Sequence, residues 1–392
     1  MSAWGDDVTL RVEVGFGSGP LVAAPSWTDI TTSTRAVRIK RGRLSVQRPF
    51  TAGTVKVLVD NRDAEFDPNN AGATHFGDMN IGTPIRIRAT HDATTYDVFY
   101  GHISRWPLNY QMPSEATVTL EGIENLGILR SSNVDATYTA ETAASRLANI
   151  LLDAGWPGGA FNDLTGTTPV AGIAYNGSAG RLIDKTVEAE QGLFFIANDG
   201  AATFYDRIKY SSATAAASFG GAGLGYDGAP RVIYDDDLLI NKAVVTGATG
   251  SAQTVLNAAS ITAHGESAPN PITNTTIDGV EQAIGVATWI VGKYKDVKSR
   301  IVGLRIDPPK DEANLWPEVL ARDLADVVNV EFSPPGGGTD LDQLVRVEGI
   351  THDIRAGLWT VDYTCHPLST FETTDYWILG TSDDLDTNTV LA

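Results

Sequence analysis

Apolar and polar residues alternate along much of this chain. Val8, Leu10, Val12 and Val14 alternate with Thr9, Arg11 and Glu13, the period of a strand with one buried face. Between positions 50 and 68, Thr54, Val55, Val57, Leu58 and Val59 follow Gly53 and stop at Asp60-Asn61-Arg62-Asp63. Strand formers that end at Asx residues predict a strand feeding a tight turn, because Asx side chains satisfy the backbone locally once pairing ends. Further strands are predicted over 35–45, 84–90, 96–106 and ATVTLEGIENLGILR (116–130). This order describes a small antiparallel barrel or sandwich over residues 1–128. The polar loop 69–80 between two of its strands is a candidate for lying on a partner.

The period then changes. Ala144, Leu147, Ile150, Leu151 and Ala154 fall at helical spacing, with Thr139 as N-cap and Gly155 closing the end. RLIDKTVEAEQGLFFIANDG predicts a second helix running into a strand, turned at Asn198-Asp199-Gly200 into the return strand ATFYDR. These elements make a small α/β module, 129–210. A Gly-rich stretch, 211–235, has the composition of a linker.

Strands resume at LLINKAVVTGATG and SAQTVLNAASITAHG. A helix follows, with Ile284, Ala287, Ile290, Val291 and Tyr294 on one face, and then the strand IVGLRIDP. Another helix is expected to begin with Pro317 at its first position and to carry Leu320, Leu324 and Val327 as its stripe. LVRVEGITHDI and LWTVDYTCHPL form a terminal β pair within a second β lobe, 236–370. Residues 371–392 are expected to be a tail, ordered where a neighbour holds it. The fold class is therefore α+β and β-dominated, with two tube-like antiparallel β-barrel lobes bracketing the α/β module.

Composition narrows the function. Lys and Arg number 29 against 48 Asp and Glu, a formal charge of −19. That balance argues against gripping nucleic acid, which needs clustered cations, and suits a surface that DNA passes without sticking. The single cysteine, Cys365, allows no internal disulfide framework and no zinc–cysteine cluster. MSAWGDDV has no signal-peptide pattern, and no run of about 18 apolar residues exists to span a bilayer.

Candidate chemistry is sparse. GFGSGP (15–20) has Pro where a third fingerprint glycine belongs, and GGAGLGY (220–226) has the wrong spacing for a dinucleotide loop. Asp60, Asp63, Glu65 and Asp67 invite comparison with a calcium loop but lack its sixth-position Gly and twelfth-position Glu. Asp235-Asp236-Asp237 is a second metal-site candidate, but its composition suits a polar loop before a strand. His75, His91, His102, His264, His352 and His366 are scattered without metal-ligand spacing. His352 and His366 could meet beside Cys365 in the terminal β pair, yet Cys365 alternates with apolar neighbours as a buried residue does. Glu188 and Glu190 lie in a helix-like stretch with no evident aromatic cleft for sugar cleavage. The sequence therefore yields no catalytic, cofactor-binding or metal-binding residues: no enzyme and no cofactor are expected.

The segments RGRLSVQRPFTAGTVKVLVDNRDAEFDP, NIGTPIRIRA and VFYGHISRWPLNY, followed in order by ASRLANILLDAGWP, EAEQGLFFIANDGAATFYDR and VRVEGITHDIRAGLWTVDYTCHPL, resemble the minor tail proteins, or baseplate hub proteins, of long-tailed bacteriophages. The resemblance implies a virion protein of the tail tip, assembled in the host cytoplasm. It implies a homotrimeric ring, each copy giving two barrels, so that three chains present a pseudo-sixfold surface to the tail tube or distal tail protein. Other tip or receptor-binding proteins would sit at the far end, with DNA a partner only in passage and no membrane insertion. Two other readings stand beside it. A carbohydrate-binding or cell-wall-degrading tip protein would use some of the eight Trp, among them Trp4, Trp27, Trp106 and Trp156, as sugar platforms. A distal tail adaptor would form a ring of six.

Overall fold

Hydrogen-bonded strands run as one path from the C-terminal half of the chain into the N-terminal half. The structure is a computed structural model that describes residues 8–43, 49–111, 114–157, 160–211 and 214–368. The protein is α+β and β-dominated, with a large antiparallel sheet at its centre.

The alternation forecasts the N-terminal strands. Val8–Val14 buries Val8, Leu10, Val12 and Val14, and pairs antiparallel with Pro84–His91. Thr51–Asp60 buries Gly53, Val55, Val57 and Val59 and lies between Thr34–Gly42 and Glu115–Ile123. It ends at the Asx turn foreseen: Asp60 Oδ1 accepts from Arg62 N, and Asn61 Oδ1 accepts from Phe66 N at 2.8 Å.

N-terminal and C-terminal strands meet at one long strand, Leu341–Arg355. Its first half pairs with Val327–Phe332, and its second half pairs with Thr34–Gly42, with Gly349 opposite Gly42. The partner Leu358–Pro367 follows it along both halves across a bulge between Val347 and Gly349. Gly42, at φ +100°, is required at this seam: a Cβ there would fall 2.2 Å from the Glu348 carbonyl oxygen. The main strand path is open among the described residues, from Arg231–Ile233 at one end to Thr28–Asp29 at the other; tube closure of either lobe is not seen in it.

Ala143–Asp153 and Ala179–Glu190 pack together, and a separate three-stranded sheet is formed by Phe161–Leu164, Ala202–Tyr205 and Leu193–Ile196. The hairpin at Asn198-Asp199-Gly200 forms as expected, with Gly200 at φ +90°. The Gly-rich stretch after this module adds two short strands to the C-terminal sheet. Ala217–Phe219 runs parallel to Val327–Phe332, and Arg231–Ile233 pairs with Arg300–Ile306; Phe219 is fully buried.

Several local expectations are corrected. The helix at 143–153 is capped by Thr142, whose hydroxyl accepts from Ser145 N at 3.2 Å, not by Thr139. The segment expected as a strand through residue 130 turns into the helix Leu126–Ser131, and SAQTVLNAASITAHG divides at Asn257. Asn257 Oδ1 accepts from Ser260 N and starts the helix Ala258–His264. In Gly279–Tyr294 the buried face is Ala283, Val286, Ala287, Trp289, Ile290 and Val291, which turns Ile284 outward. Pro317 lies inside the helix Glu312–Ala321 rather than at its start, and Val327 belongs to the next strand. Leu315 and Trp316 before the proline supply enough buried surface to hold the earlier turn despite it. The expected tail, 371–392, lies outside the described residues.

A candidate assembly junction

Strand parity places two ionisable side chains inside. On Thr34–Gly42 the inward positions are Val37, Ile39 and Arg41; on the other side, Val118, Leu120 and Gly122 lead to Glu124. Arg41 Nε lies 2.6 Å from Glu124 Oε1, its second nitrogen 2.7 Å from Asp323 Oδ1, and its third donates to the Ile196 carbonyl at 2.6 Å. One guanidinium thus ties the N-terminal sheet to the α/β module and to the turn after Glu312–Ala321. Each carboxylate is held further: Glu124 Oε2 accepts from Gly53 N at 2.7 Å, and Asp323 Oδ2 accepts from Asn198 N at 2.8 Å. Burial works against the Arg41 charge, but Asp323 and Glu124 hold its pKa above the ordinary guanidinium value. Burial pushes Glu124 up, against the pull of Arg41. Gly53 is fixed by this network, since a Cβ there would sit 2.6 Å from the Glu124 carboxylate.

A second buried cluster lies two residues further along the chain. Arg43 Nε is 2.7 Å from Glu348 Oε2, and Arg43 also donates to the Tyr210 hydroxyl at 3.3 Å. The Arg346 guanidinium and the Lys293 ammonium lie 4.4 and 4.0 Å from the Tyr210 ring centroid. Burial, followed by the charge of Arg346, pushes Lys293 down to about 7. For Glu348 burial opposes the charge, but Arg43 keeps its pKa below the ordinary carboxylate value.

The residues weighed from sequence have local hydrogen-bond and ion-pair partners. Asp63 Oδ1 accepts from Glu65 N, Glu65 from Thr74 N, and Asp67 from Asn69 N and the Tyr110 hydroxyl. These carboxylates satisfy their own loop, and among the described residues no group of three acidic, His or Cys side chains could hold a metal. Asp235 pairs with Arg300. Glu188 and Glu190 are two apart on a helix and so face different ways; Glu188 accepts from Asn274, and Glu190 pairs with Arg207. His352 lies opposite Val361, five residues before His366, roughly 15 Å along the strand. Its Nδ1 accepts from Trp359 Nε1 at 3.2 Å, and burial pushes the Cys365 thiol up to about 12. Nothing there resembles an activated nucleophile. Trp27 lies under Arg86 with its ring centroid 4.2 Å away, and Trp156 is buried; Trp4 lies outside the described residues.

In the loop 69–80, His75 stacks on Phe16 at 3.9 Å between ring centroids, while Phe76 is 51% exposed.

No family model matches the chain, and no curated protein matches it in sequence. Its fold is that of phage tail proteins. It is similar to the 43 kDa tail protein of prophage MuSo2 from Shewanella oneidensis, with a TM-score of 0.56 at 12% identity over 91% of this chain and 97% of that one. It is also similar to a tail protein from Neisseria meningitidis MC58, with a TM-score of 0.59 at 11% identity over 91% and 96%. No helix among the described residues is long and apolar enough to cross a membrane.

Proposed function

We propose that this chain is a non-enzymatic building block of a phage tail tip or baseplate hub. Three copies form a ring that joins the sixfold tail tube or distal tail protein to threefold tip components and surrounds the DNA exit channel. The observation that carries this reading is the likeness of the fold, nearly end to end, to two tail proteins. The Arg41 junction supports it, because a part that transmits shape needs its pieces held as one body. The net charge of −19 suits a channel wall that DNA slides past. Residues 1–128 and 236–370 would be the two lobes that let a threefold object mate with a sixfold one.

The test is an image of the particle labelled with an antibody against this chain. Label at the tail tip supports the reading, and label confined to the head or along the whole tube removes it.

A further inference from the structure

The turn that Arg41 holds through Asp323 also lines a cavity of about 470 Å³. The rest of the lining comes from the strands Phe161–Leu164, Leu193–Ile196 and Ala202–Tyr205 and from the hairpin at Asn198. Its size falls within the roughly 300–1,000 Å³ common to small-molecule sites.

The carboxylates of this cavity are already answered. Asp323 Oδ1 accepts from Arg41 and from Leu324 N, each at 2.7 Å, and its Oδ2 accepts from Asn198 N at 2.8 Å. Asp326 Oδ2 accepts from Asp323 N at 3.0 Å and pairs with Arg322 at 3.3 Å. No Lys or Arg is among the lining residues; Lys209, over the Tyr205 ring at 4.1 Å, lies outside them. The cavity therefore offers no unanswered charge to an ionic ligand of either sign.

What it does offer is unengaged hydrogen-bonding capacity. The Asn198 carboxamide has no hydrogen-bond partner among the described residues, although the backbone N–H of the same residue is clamped to Asp323. Asn162 gives its amide to Asp199 at 3.1 Å and keeps its oxygen open, and Asp326 Oδ1 accepts nothing among the described residues. Three chain segments thus present donors and acceptors together. Beside them Phe161 and Tyr205 are half-exposed, and Tyr205 meets buried Phe195 edge-on at 5.6 Å between ring centroids.

We propose that this cavity binds a neutral saccharide unit. A sugar hydroxyl both donates and accepts, which a carboxamide and a carboxylate oxygen answer together, and the C–H face of a sugar ring packs on an aromatic side chain. A charged ligand would lack its counter-ion here, and a wholly apolar one would leave the three polar side chains without partners. None of the eight Trp lines the cavity, so the aromatic surface falls to Phe161 and Tyr205. The site needs neither a second copy nor a tail partner, and it stands apart from the ring reading above.

Saturation-transfer NMR on the purified full chain tests it. The probes are glucose, galactose, mannose and N-acetylglucosamine, each at high concentration, with argininamide and sialic acid as cationic and anionic controls. Transfer is expected to at least one of the four neutral sugars and to neither control. Asn198→Ala removes a side chain that bonds to nothing else among the described residues, and is expected to weaken binding of that sugar at least about fivefold. Asn162→Ala, on the exposed rim, is expected to do the same. Circular dichroism matching wild type excludes unfolding as the cause; should one variant unfold, the other decides alone. No transfer to any of the four sugars, or unchanged affinity in both variants, overturns the proposal. Preference for argininamide or sialic acid also overturns it and gives the cavity to a charged partner.

Discussion

Arg41 and Glu124 face each other at 2.6 Å with both side chains 2% exposed, and the same guanidinium also holds Asp323. A buried ion pair is not in itself a large source of stability, because desolvation offsets much of the attraction. Removing one partner is different, since it strands the other charge. Arg41→Met leaves the buried Glu124 and the half-buried Asp323 without their shared cation. The expected cost is about 3–5 kcal/mol, read as an earlier urea transition. An unchanged transition would mean that the junction does not hold the three parts together.

Glycine at the seam makes a second expectation. Gly42 has φ +100° and lies against the Glu348 carbonyl, while Gly53 lies against the Glu124 carboxylate. Gly42→Ala is expected to destabilise by more than about 1 kcal/mol, the strain of φ > 0 adding to the backbone clash. Gly77→Ala is the control: it has φ +87° with open space around the added carbon. It should show the strain without the clash, so the measured midpoints should rank wild type, Gly77→Ala, Gly42→Ala.

Buried His352 and half-buried His366 set an acid dependence. Burial pushes His352 and His366 down to about 3 from an ordinary 6.5. The unfolded chain binds these protons as pH falls below about 6.5, and the folded chain does not. Stability is therefore fully present above that pH and is lost on acidification toward 3, at up to about 1.4 kcal/mol per pH unit for each histidine. Glu124, whose folded pKa is raised, acts in the opposite sense. The check is a difference: His352→Gln can keep an acceptor for Trp359 and should flatten the slope of urea midpoint against pH between 6 and 4. An identical slope in the variant contradicts the assignment.

Cys365 gives a simple probe. The thiol is buried and its pKa is pushed up to about 12, so a thiol reagent at neutral pH is expected to label the native protein at least a hundredfold more slowly than the urea-unfolded chain. Prompt labelling of native protein would show that the Leu358–Pro367 strand opens readily.

Much of this architecture is legible in the sequence because it rests on local period. The alternation of Val8 to Val14 and of Gly53 to Val59 fixes which side is buried, and the Asn61 turn ends its strand through its own side chain. Parity also carried an unused signal, for it puts Arg41 and Glu124 at inward positions where a lone charge calls for a partner. The identity of that partner was out of reach. Asp323 is 282 residues from Arg41 in sequence, and no local rule couples them. The pairing of Thr34–Gly42 with Leu341–Arg355, which joins N-terminal and C-terminal strands in one sheet, is hidden for the same reason. Pro317 misled because its preference for a first turn was outweighed by the packing of Leu315 and Trp316 ahead of it.

Electron cryo-microscopy of the assembled chain viewed down its symmetry axis tests the central claim most directly. The expected image is a ring of three copies showing six similar β lobes around an open channel. A ring of six copies with one lobe each facing the channel, or a solitary closed subunit, would contradict it.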